Sequence, residues 1–324
     1  MPFAAITALL ITLILVISYY TYRICFHSPK GKHNTPHEQP EGEQYLAVKE
    51  NMHRAISIME KYPFEQVSIK AFDGILLSGR YYHLKDGAPL LILFHGYRSH
   101  AYRDASGGHI LSRKLGFNAL VVDQRAHGDS DGVTITFGIR ERQDCLAWVR
   151  YANQRFGAEP PIILSGLSMG AATVLMATEL DLPENVAGVI ADSPYAAPSS
   201  IILKVAQDMH YPPKLCYPFI YLGALLYGHF RLDACCAKEA VRKSKIPVLL
   251  LHGEDDRLVP CAMSREIAEA AGGYAEVHTF PGAGHGLCYM IDPIRYEQAV
   301  LHFLDRIPEV SPLISADFKN TKLY

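Results

Sequence analysis

This sequence has no excess of either charge and no paired pattern of cysteines, and each absence excludes a class of function. Neither sign of charge is in excess, because the net charge is −2, and no basic stripe interleaved with aromatic residues occurs. Nothing therefore indicates a nucleic-acid partner. The seven cysteines form neither an even-numbered disulfide framework nor a C-x-x-C metal pair, which favours a reducing compartment. We expect no cofactor.

The sequence has more histidines than cysteines, and three of the histidines lie close together. His27, His33 and His37 could be taken for a metal cluster, but the segment around them is polar and rich in proline and glycine. Solvated histidines are the expectation for such a segment, so we predict no metal site.

Residues 3–22 lack charge altogether. A helix of this length spans about 30 Å, the thickness of the hydrocarbon core of a bilayer. A cleaved signal peptide is the alternative, but no Lys or Arg precedes the run and residues 18–22 form a poor cleavage site. We therefore predict an uncleaved single-pass membrane anchor which, with its flank, occupies residues 1–27.

Positive charge follows this apolar run and does not precede it. Arg23, Lys30 and Lys32 lie just beyond it, and Lys and Arg near a membrane span are retained in the cytoplasm. The expected localisation is the cell membrane, with the large domain that follows in the cytoplasm. The alternative is that the run acts as an ordinary signal anchor and exports the domain despite these charges.

The rest of the chain divides into three predicted parts. Residues 28–61 are a polar tether followed by a short leading helix, 62–310 form the main domain, and 311–324 are a tail without a clear period. The apolar positions of the leading helix are Leu46, Met52, Ile56 and Met59.

The main domain begins with a hairpin pattern and continues with short apolar runs separated by amphipathic stretches. Residues 67–69 and 75–81 flank Asp73-Gly74, which is typical of a β-hairpin. Helical spacing links Cys145, Trp148, Val149, Ala152 and Phe156, and again Tyr296, Val300, Phe303, Leu304 and Ile307. The apolar runs are 90–94, 119–122, 162–164, 189–191 and 248–251. This alternation predicts an α/β fold with a mainly parallel central sheet and helices on both faces.

The run at 162–164 leads into Gly166-Leu167-Ser168-Met169-Gly170, and a helical pattern follows. Glycines two residues either side of a serine permit a very tight strand-to-helix turn, on which the hydroxyl is exposed. The N–H of Met169 would then lie at a helix N-terminus, where it suits a developing oxyanion. The alternative is that glycine and serine simply fill a turn between strand and helix.

Four His-Gly dipeptides follow predicted strands, at His95, His127, His252 and His285. Their strands should all end at the same edge of the sheet, where α/β proteins place their sites. Only one histidine can serve as the base for Ser168. His285 lies in a glycine-rich loop before the last predicted helix, and such a loop can bring an imidazole across to the nucleophile.

These motifs together resemble the α/β-hydrolase superfamily over residues 62 to 308, most closely its membrane-anchored bacterial esterase-like and lipase-like members. G-x-S-x-G resembles the nucleophile elbow, and residues 252–260 resemble the H-G-x-x-D-x-x-V-P acid loop, whose register selects Asp256. Residues 123–132 resemble a loop that braces the site, with Ala126 replacing a glycine.

The resemblance implies an α/β-hydrolase fold with a catalytic triad of Ser168, Asp256 and His285 in that order along the chain. It also implies an oxyanion hole made by the N–H groups of Met169 and Tyr97, and a structural role for His95. From the residues alone, Asp255 and Glu254 remain rivals for the acid.

An insertion at about 196–245 is expected to form a small helical lid over the acyl pocket. Its run from Cys216 to Phe230 has no Lys, Arg, Asp or Glu, which fits either a pocket lining or ordinary buried helices. The predicted activity is hydrolysis of apolar, lipid-like carboxylic esters. A serine peptidase is second, because the lid has few carboxylates to bind a peptide terminus. A non-catalytic ligand-binding member of the fold is the least favoured alternative.

Overall fold

The computed structural model describes residues 2–29 and 42–320. The strands are β1 Glu65–Lys70, β2 Leu76–Tyr82, β3 Leu90–Phe94, β4 Asn118–Val122, β5 Ile162–Leu167, β6 Val186–Asp192, β7 Val248–Gly253 and β8 Ala275–Phe280. The first helices are α1 Pro2–Cys25, α2 Glu43–Leu46, α3 Lys49–Glu60, α4 Ala101–Leu115, α5 Glu141–Phe156 and α6 Met169–Ala177. They are followed by α7 Pro198–Asp208, α8 Pro213–Leu226, α9 Ala237–Lys243, α10 Ala262–Ala270, α11 Cys288–Ile291, α12 Pro293–Asp305, a 3₁₀ turn Ser311–Leu313 and α13 Ala316–Asn320.

All eight strands form one sheet in the order β1-β2-β4-β3-β5-β6-β7-β8. The β1–β2 and β2–β4 pairs are antiparallel, and the other pairs are parallel. Strand β5, which leads into Ser168, lies between β3 and β6 near the centre of the sheet. The predicted mainly parallel sheet and the α/β-hydrolase fold are thus confirmed.

Both faces of the sheet are buried, as a parallel sheet requires. Along β3, Leu90, Ile92 and Phe94 belong to one hydrophobic core, whereas Leu91 and Leu93 belong to a second core on the opposite face. Successive side chains of a strand point to opposite faces, so a continuous apolar run fills both cores. The carboxyl ends of these strands are free to hold the candidate site.

The two segments that flank the main domain are more ordered than the sequence suggests. The leading segment forms two helices, in which Tyr45 is buried and Leu46 is exposed, so the prediction of Leu46 on the apolar face is wrong. The expected tail without periodic structure contains a 3₁₀ turn and α13, and its Ile314 and Phe318 pack into the second core. Two buried apolar side chains are too few to produce a visible period in the sequence, and Ser315 N–H also donates to the Leu115 carbonyl at 2.8 Å.

The predicted anchor is a single helix, α1. Within the described residues it is the one helix long and apolar enough to cross a membrane, over Phe3–Cys25. The chain just after α1 does not begin a free tether: the Phe26 carbonyl accepts from Ile135 N–H at 2.8 Å, and Ser28 N–H donates to the Val133 carbonyl at 2.9 Å. His27 forms a backbone bridge to Thr134 in the same pairing, and its ring centroid lies 6.0 Å from that of Tyr22, so His27 belongs to the folded domain and not to a tether. His33 and His37, and most of the predicted tether, lie outside the described residues.

Candidate active site

The turn between β5 and α6 holds Ser168 in a backbone conformation that few residues adopt, with φ 57° and ψ −114°. Such a conformation costs about 1–3 kcal/mol and persists only where the surroundings impose it. The surroundings here are very close. A Cβ on Gly166 would lie 2.3 Å from the backbone of Gly170, and a Cβ on Gly170 would lie 2.1 Å from the Phe94 carbonyl oxygen. The two glycines therefore let α6 press against β3 and β5.

His285 connects this serine to a carboxylate. Its Nε2 lies 2.8 Å from Ser168 Oγ, and its Nδ1 lies 2.7 Å from Asp256 Oδ2. Because an ionised carboxylate only accepts hydrogen bonds, Nδ1 carries the proton and Nε2 is free to accept from the serine hydroxyl. The three residues come from the loops that follow β5, β7 and β8. This is the arrangement that a base needs in order to take a proton from a serine.

The carboxylate of Asp256 is buried and held from both sides. Its Oδ1 accepts from the backbone N–H groups of Leu258 at 2.9 Å and Val259 at 2.8 Å. Burial alone would raise the pKa of Asp256, but hydrogen bonds from His252, His285 and the backbone outweigh it and lower that pKa well below its ordinary value. The rivals Asp255 and Glu254 are both exposed. Of the three acids, the structure brings only Asp256 to His285.

His252 lies behind Asp256 and was not assigned a role from the sequence. Its ring is fully buried, with Nδ1 2.7 Å from Ser264 Oγ and Nε2 2.8 Å from the Val259 carbonyl oxygen. A carbonyl only accepts, so Nε2 carries the proton, and it also lies 3.3 Å from Asp256 Oδ2. His252 thus directs an N–H towards the carboxylate. The sequence feature that could have indicated this role is the position of His252 as the first residue of the acid loop, residues 252–260.

The two predicted oxyanion donors lie on the loop after β3 and at the start of α6. Met169 is the first residue of α6, where the backbone N–H has no partner within the helix. On either side of Tyr97 the amides are occupied, since Gly96 N–H donates to Asp104 Oδ2 at 2.8 Å and Arg98 N–H donates to His127 Nε2 at 2.9 Å. Between them, the Tyr97 N–H has no acceptor among the described residues.

Two further histidines brace this loop and do not reach the serine. His95 accepts from Gln124 N–H at 3.0 Å, and its buried ring has a lowered pKa because burial disfavours the charged form. His127 holds Arg98 N–H, as above, and its Nδ1 lies 2.9 Å from the Arg125 carbonyl. In the same loop Ala126 has φ 63°, a left-handed conformation that favours glycine. The glycine of the resembling motif would fit here without strain.

Two other serines could have competed as nucleophiles, and both are occupied in the interior. Ser130 Oγ donates to the Asp123 carbonyl and accepts from Ser78 N–H. Ser193 Oγ lies 2.9 Å from Asp192 Oδ1, and it accepts from Gly286 N–H. Neither hydroxyl is bonded to His285.

Asp192, at the end of β6, is a second buried carboxyl close to the site. Burial raises its pKa to about 6, although the hydroxyl of Ser193 and the nearby rings of His252 and His285 partly oppose this shift. The sequence did not single out Asp192. The sequence feature that could have indicated Asp192 is its position at the carboxyl end of a predicted central strand.

A cavity of about 470 Å³ opens over Ser168. Its apolar lining includes Met52, Leu93, Leu258, Leu287 and Met290, and its polar lining includes Arg98, Arg103 and His100. Tyr45 also lines it and donates its hydroxyl to the His285 carbonyl at 3.3 Å. Of the described residues that line the cavity, none belongs to the insertion 196–245. The insertion is helical but contributes nothing to this lining, and Tyr45 of α2 and Met52 of α3 line the cavity instead.

Comparison with known proteins gives a consistent result. The uncharacterized protein YqkD of Bacillus subtilis is 25% identical over 250 residues, which is 77% of this chain and 81% of that protein. The lysophosphatidylserine lipase ABHD12 of Danio rerio is 27% identical over 158 residues, and this match covers 48% of the chain but only 40% of the lipase. Human protein ABHD12B is 29% identical over 204 residues, and about half of its length is matched.

A solved structure of the Pyrococcus furiosus esterase PF2001 aligns with a TM-score of 0.63 at 23% identity, covering 78% of this chain and 93% of the esterase. At that identity the likeness shows the fold alone. The model of the alpha/beta hydrolase family matches residues 91–299, which is well over half of the chain. The fold, the strand-end loops and this match together show that the chain belongs to the alpha/beta hydrolase family.

Proposed function

We propose that this chain is a membrane-anchored serine hydrolase that cleaves carboxylic esters through Ser168, His285 and Asp256. The observation that carries the proposal is the continuous hydrogen-bond path from Ser168 Oγ through the His285 ring to Asp256 Oδ2. A non-catalytic binding protein would have no use for a strained serine aligned on a neutral imidazole acceptor.

In the proposed reaction, Ser168 Oγ attacks the ester carbonyl carbon while His285 Nε2 takes the hydroxyl proton. The N–H groups of Tyr97 and Met169 donate to the negative oxygen that forms. When the ester C–O bond breaks, His285 returns the proton to the leaving alcohol, which leaves an acyl group on Ser168. Water then attacks the acyl-enzyme by the same route, and the product acid leaves. Asp256 keeps the proton of His285 on Nδ1 throughout.

The cavity supports an apolar substrate of modest size. Its volume of about 470 Å³ lies in the usual range for small-molecule sites, and leucine and methionine side chains form much of its wall. The esterase fold neighbour and the lysophosphatidylserine lipase relative act on esters or lipids by their names, which agrees with this proposal. We expect higher turnover of short or medium acyl esters than of aminoacyl amides. Faster cleavage of aminoacyl naphthylamides than of simple esters would instead favour the peptidase alternative.

Replacement of the nucleophile tests the proposal directly. Ser168→Ala should abolish covalent labelling by a fluorophosphonate probe and lower kcat by about 10⁴-fold, because the acyl-enzyme cannot form. The purified full-length variant should keep the melting temperature of the parent to within a few degrees. Ser193→Ala is the matched control and should still be labelled. Labelling that persists in Ser168→Ala would contradict the assignment.

The proposed location is a membrane, with α1 as the anchor and the catalytic domain on the cytoplasmic side. The length and apolar character of Phe3–Cys25 support the anchor. The positive residues that follow the apolar run support the orientation.

A further inference from the structure

The insertion that does not line the cavity contacts the membrane anchor instead. Thr21 Oγ1 donates to the Phe219 carbonyl at 3.0 Å, and Tyr227 donates its hydroxyl to the Leu15 carbonyl at 3.1 Å. Between these bonds the helices nearly touch, because a Cβ on Gly223 would lie 2.5 Å from the Ser18 carbonyl oxygen. The α8 helix therefore lies along the second half of α1.

The order of these contacts fixes how the two helices run. Leu15, Ser18 and Thr21 of α1 lie beside residues 227, 223 and 219, so α8 is antiparallel to α1 over about two turns. Small residues such as glycine allow this close approach between helices in a membrane. Tyr227 also packs edge-on against Tyr19, with ring centroids 5.2 Å apart.

This register places part of α8 at membrane depth. If residues 3–22 of α1 cross the hydrocarbon layer, Leu15 lies roughly 10 Å inside it, measured along α1 from Tyr22. Residues 219–227 lie beside that stretch and share its depth. No Lys, Arg, Asp or Glu occurs from Cys216 to Phe230, whereas Lys214 and Arg231 flank the run. Leu225 and Leu226 nevertheless remain exposed on the protein surface.

We propose that the end of α8 is a second membrane-contacting element, inserted beside α1 into the hydrocarbon layer of the bilayer, with lipid covering Leu225 and Leu226. The occupant is lipid because the exposed face continues directly from the membrane-spanning face of α1.

The consequence is that the catalytic domain sits on the membrane surface and does not hang from a flexible tether. Arg98, which lines the cavity, donates from Nη2 to the carbonyls of Ile24 at 2.7 Å and His27 at 3.1 Å. The cavity wall therefore touches the end of the anchor helix. Substrates that partition into lipid would arrive close to this wall.

Fluorescence in lipid nanodiscs tests the contact without reference to activity. The full chain has one tryptophan, Trp148, which is buried and gives the background emission. Leu226→Trp adds a probe at the proposed contact. Leu313→Trp is the matched control, because Leu313 is similarly exposed but lies in the 3₁₀ turn near the amino end of β4.

In discs of phosphatidylcholine with brominated acyl chains, the emission added by Leu226→Trp should fall by more than half, whereas that of Leu313→Trp should not change. Iodide in the aqueous phase should quench the Leu313→Trp emission strongly and the Leu226→Trp emission little. Quenching of the Leu226→Trp probe by iodide and not by brominated lipid would overturn the proposal. So would protection from both quenchers, since that would mean another protein copy covers the face. Leu225→Trp repeats the test if the first variant folds poorly.

Discussion

At the scale of single residues, the candidate site depends on groups that never reach the substrate. Ser168 keeps its strained φ only because Gly166 and Gly170 let the backbone pack without a Cβ between the elements. Asp256 remains ionised in the interior because two backbone amides and His252 donate to it. The reactive atoms are thus positioned by buried partners that have no reactive role themselves.

The acid can be tested by comparing two adjacent carboxyls. Asp256→Asn should lower kcat by about 10⁴-fold, because an amide at this position favours the wrong tautomer of His285. Asp255→Asn changes an exposed side chain and should keep most of the parent activity. Steady-state turnover of a soluble short-chain ester measures both. A larger loss in Asp255→Asn than in Asp256→Asn would mean that the acid loop has been assigned one residue out of register.

The raised pKa of Asp192 predicts a pH-dependent stability. Because its folded pKa, about 6, exceeds the ordinary value of about 3.9, the native state binds this proton more tightly than the unfolded state. Below about pH 4 the Asp192 carboxyl is protonated, and its burial costs little free energy. As the pH rises towards 6 the free energy of unfolding falls, because ionised Asp192 is less stable in the interior than in the unfolded chain. Asp192→Asn should become progressively more stable than the parent over this window.

Thermal melts of the detergent-solubilised full chain at pH 4, 5, 6 and 7 would measure the difference in melting temperature between parent and Asp192→Asn. The amide can still accept from Ser193, so the comparison isolates the charge. A difference that does not change between pH 4 and pH 6 would mean that Asp192 is already ionised without penalty in the folded protein.

At the scale of elements, the end of α1 and the loop after β3, which contains Tyr97 and Arg98, form one unit. Tyr97 donates its hydroxyl to the Cys25 carbonyl at 2.8 Å, and the Arg98 guanidinium donates to the carbonyls of Ile24 and His27. The carbonyls of Ile24 and Cys25 belong to the last turn of α1, whose acceptors have no partner within the helix, and His27 lies just beyond that turn. The anchor helix is therefore capped by the loop that contains a candidate oxyanion donor.

Arg98→Ala should weaken this cap. Loss of the charged hydrogen bonds should cost about 1–2 kcal/mol, because Arg98 is only half-buried and solvent screens part of its interaction with the carbonyls. We also expect a lower kcat with a smaller change in KM, since the loop position matters most in the transition state. Arg23→Ala is the matched control, because it removes the same charge at the same helix end without touching the loop.

Melting temperature and ester turnover of the two variants in detergent provide the comparison. Arg98→Lys should recover part of the loss, since one ammonium can still donate to a carbonyl. If Arg98→Ala and Arg23→Ala behave alike, the effect comes from net charge and the cap does not position the loop.

At the scale of the whole molecule, one sheet supports both the chemistry and the membrane contact. The carboxyl ends of β5, β7 and β8 provide the candidate triad, and the chain after β6 provides the insertion that packs on α1. The anchor and the cavity therefore lie at the same end of the domain. If α1 anchors the chain as proposed, the hydrolase would act next to the membrane surface.

The orientation of the whole molecule follows from the charges after the apolar run. Arg23, Lys30 and Lys32 should keep the catalytic domain in the cytoplasm. Protease added to intact cells should spare residues 42–320, and the same protease should digest them after the cells are permeabilised. Digestion of the domain in intact cells would show that it is exported.

The sequence alone was sufficient for features that depend on local pattern. Continuous apolar runs predicted a sheet buried on both faces, because only a doubly covered strand can be apolar at every position. The motif around Ser168 predicted a tight turn, because glycine on both sides is required when backbone meets backbone. The order of serine, acid and histidine along the chain was implied by the resemblance to α/β-hydrolase motifs, whereas the residues alone left Asp255 and Glu254 as rivals for the acid.

Tertiary structure decided what depends on contacts between distant segments. Nothing local in Tyr45 or Met52 indicates that the leading helices line the cavity, since an amphipathic helix does not specify which groove it fills. For the same reason the charge-free run from Cys216 to Phe230 could be read as a lid, although it packs along α1. Hydrophobic burial is non-directional, so sequence shows that a face must be covered, and only the fold shows by what.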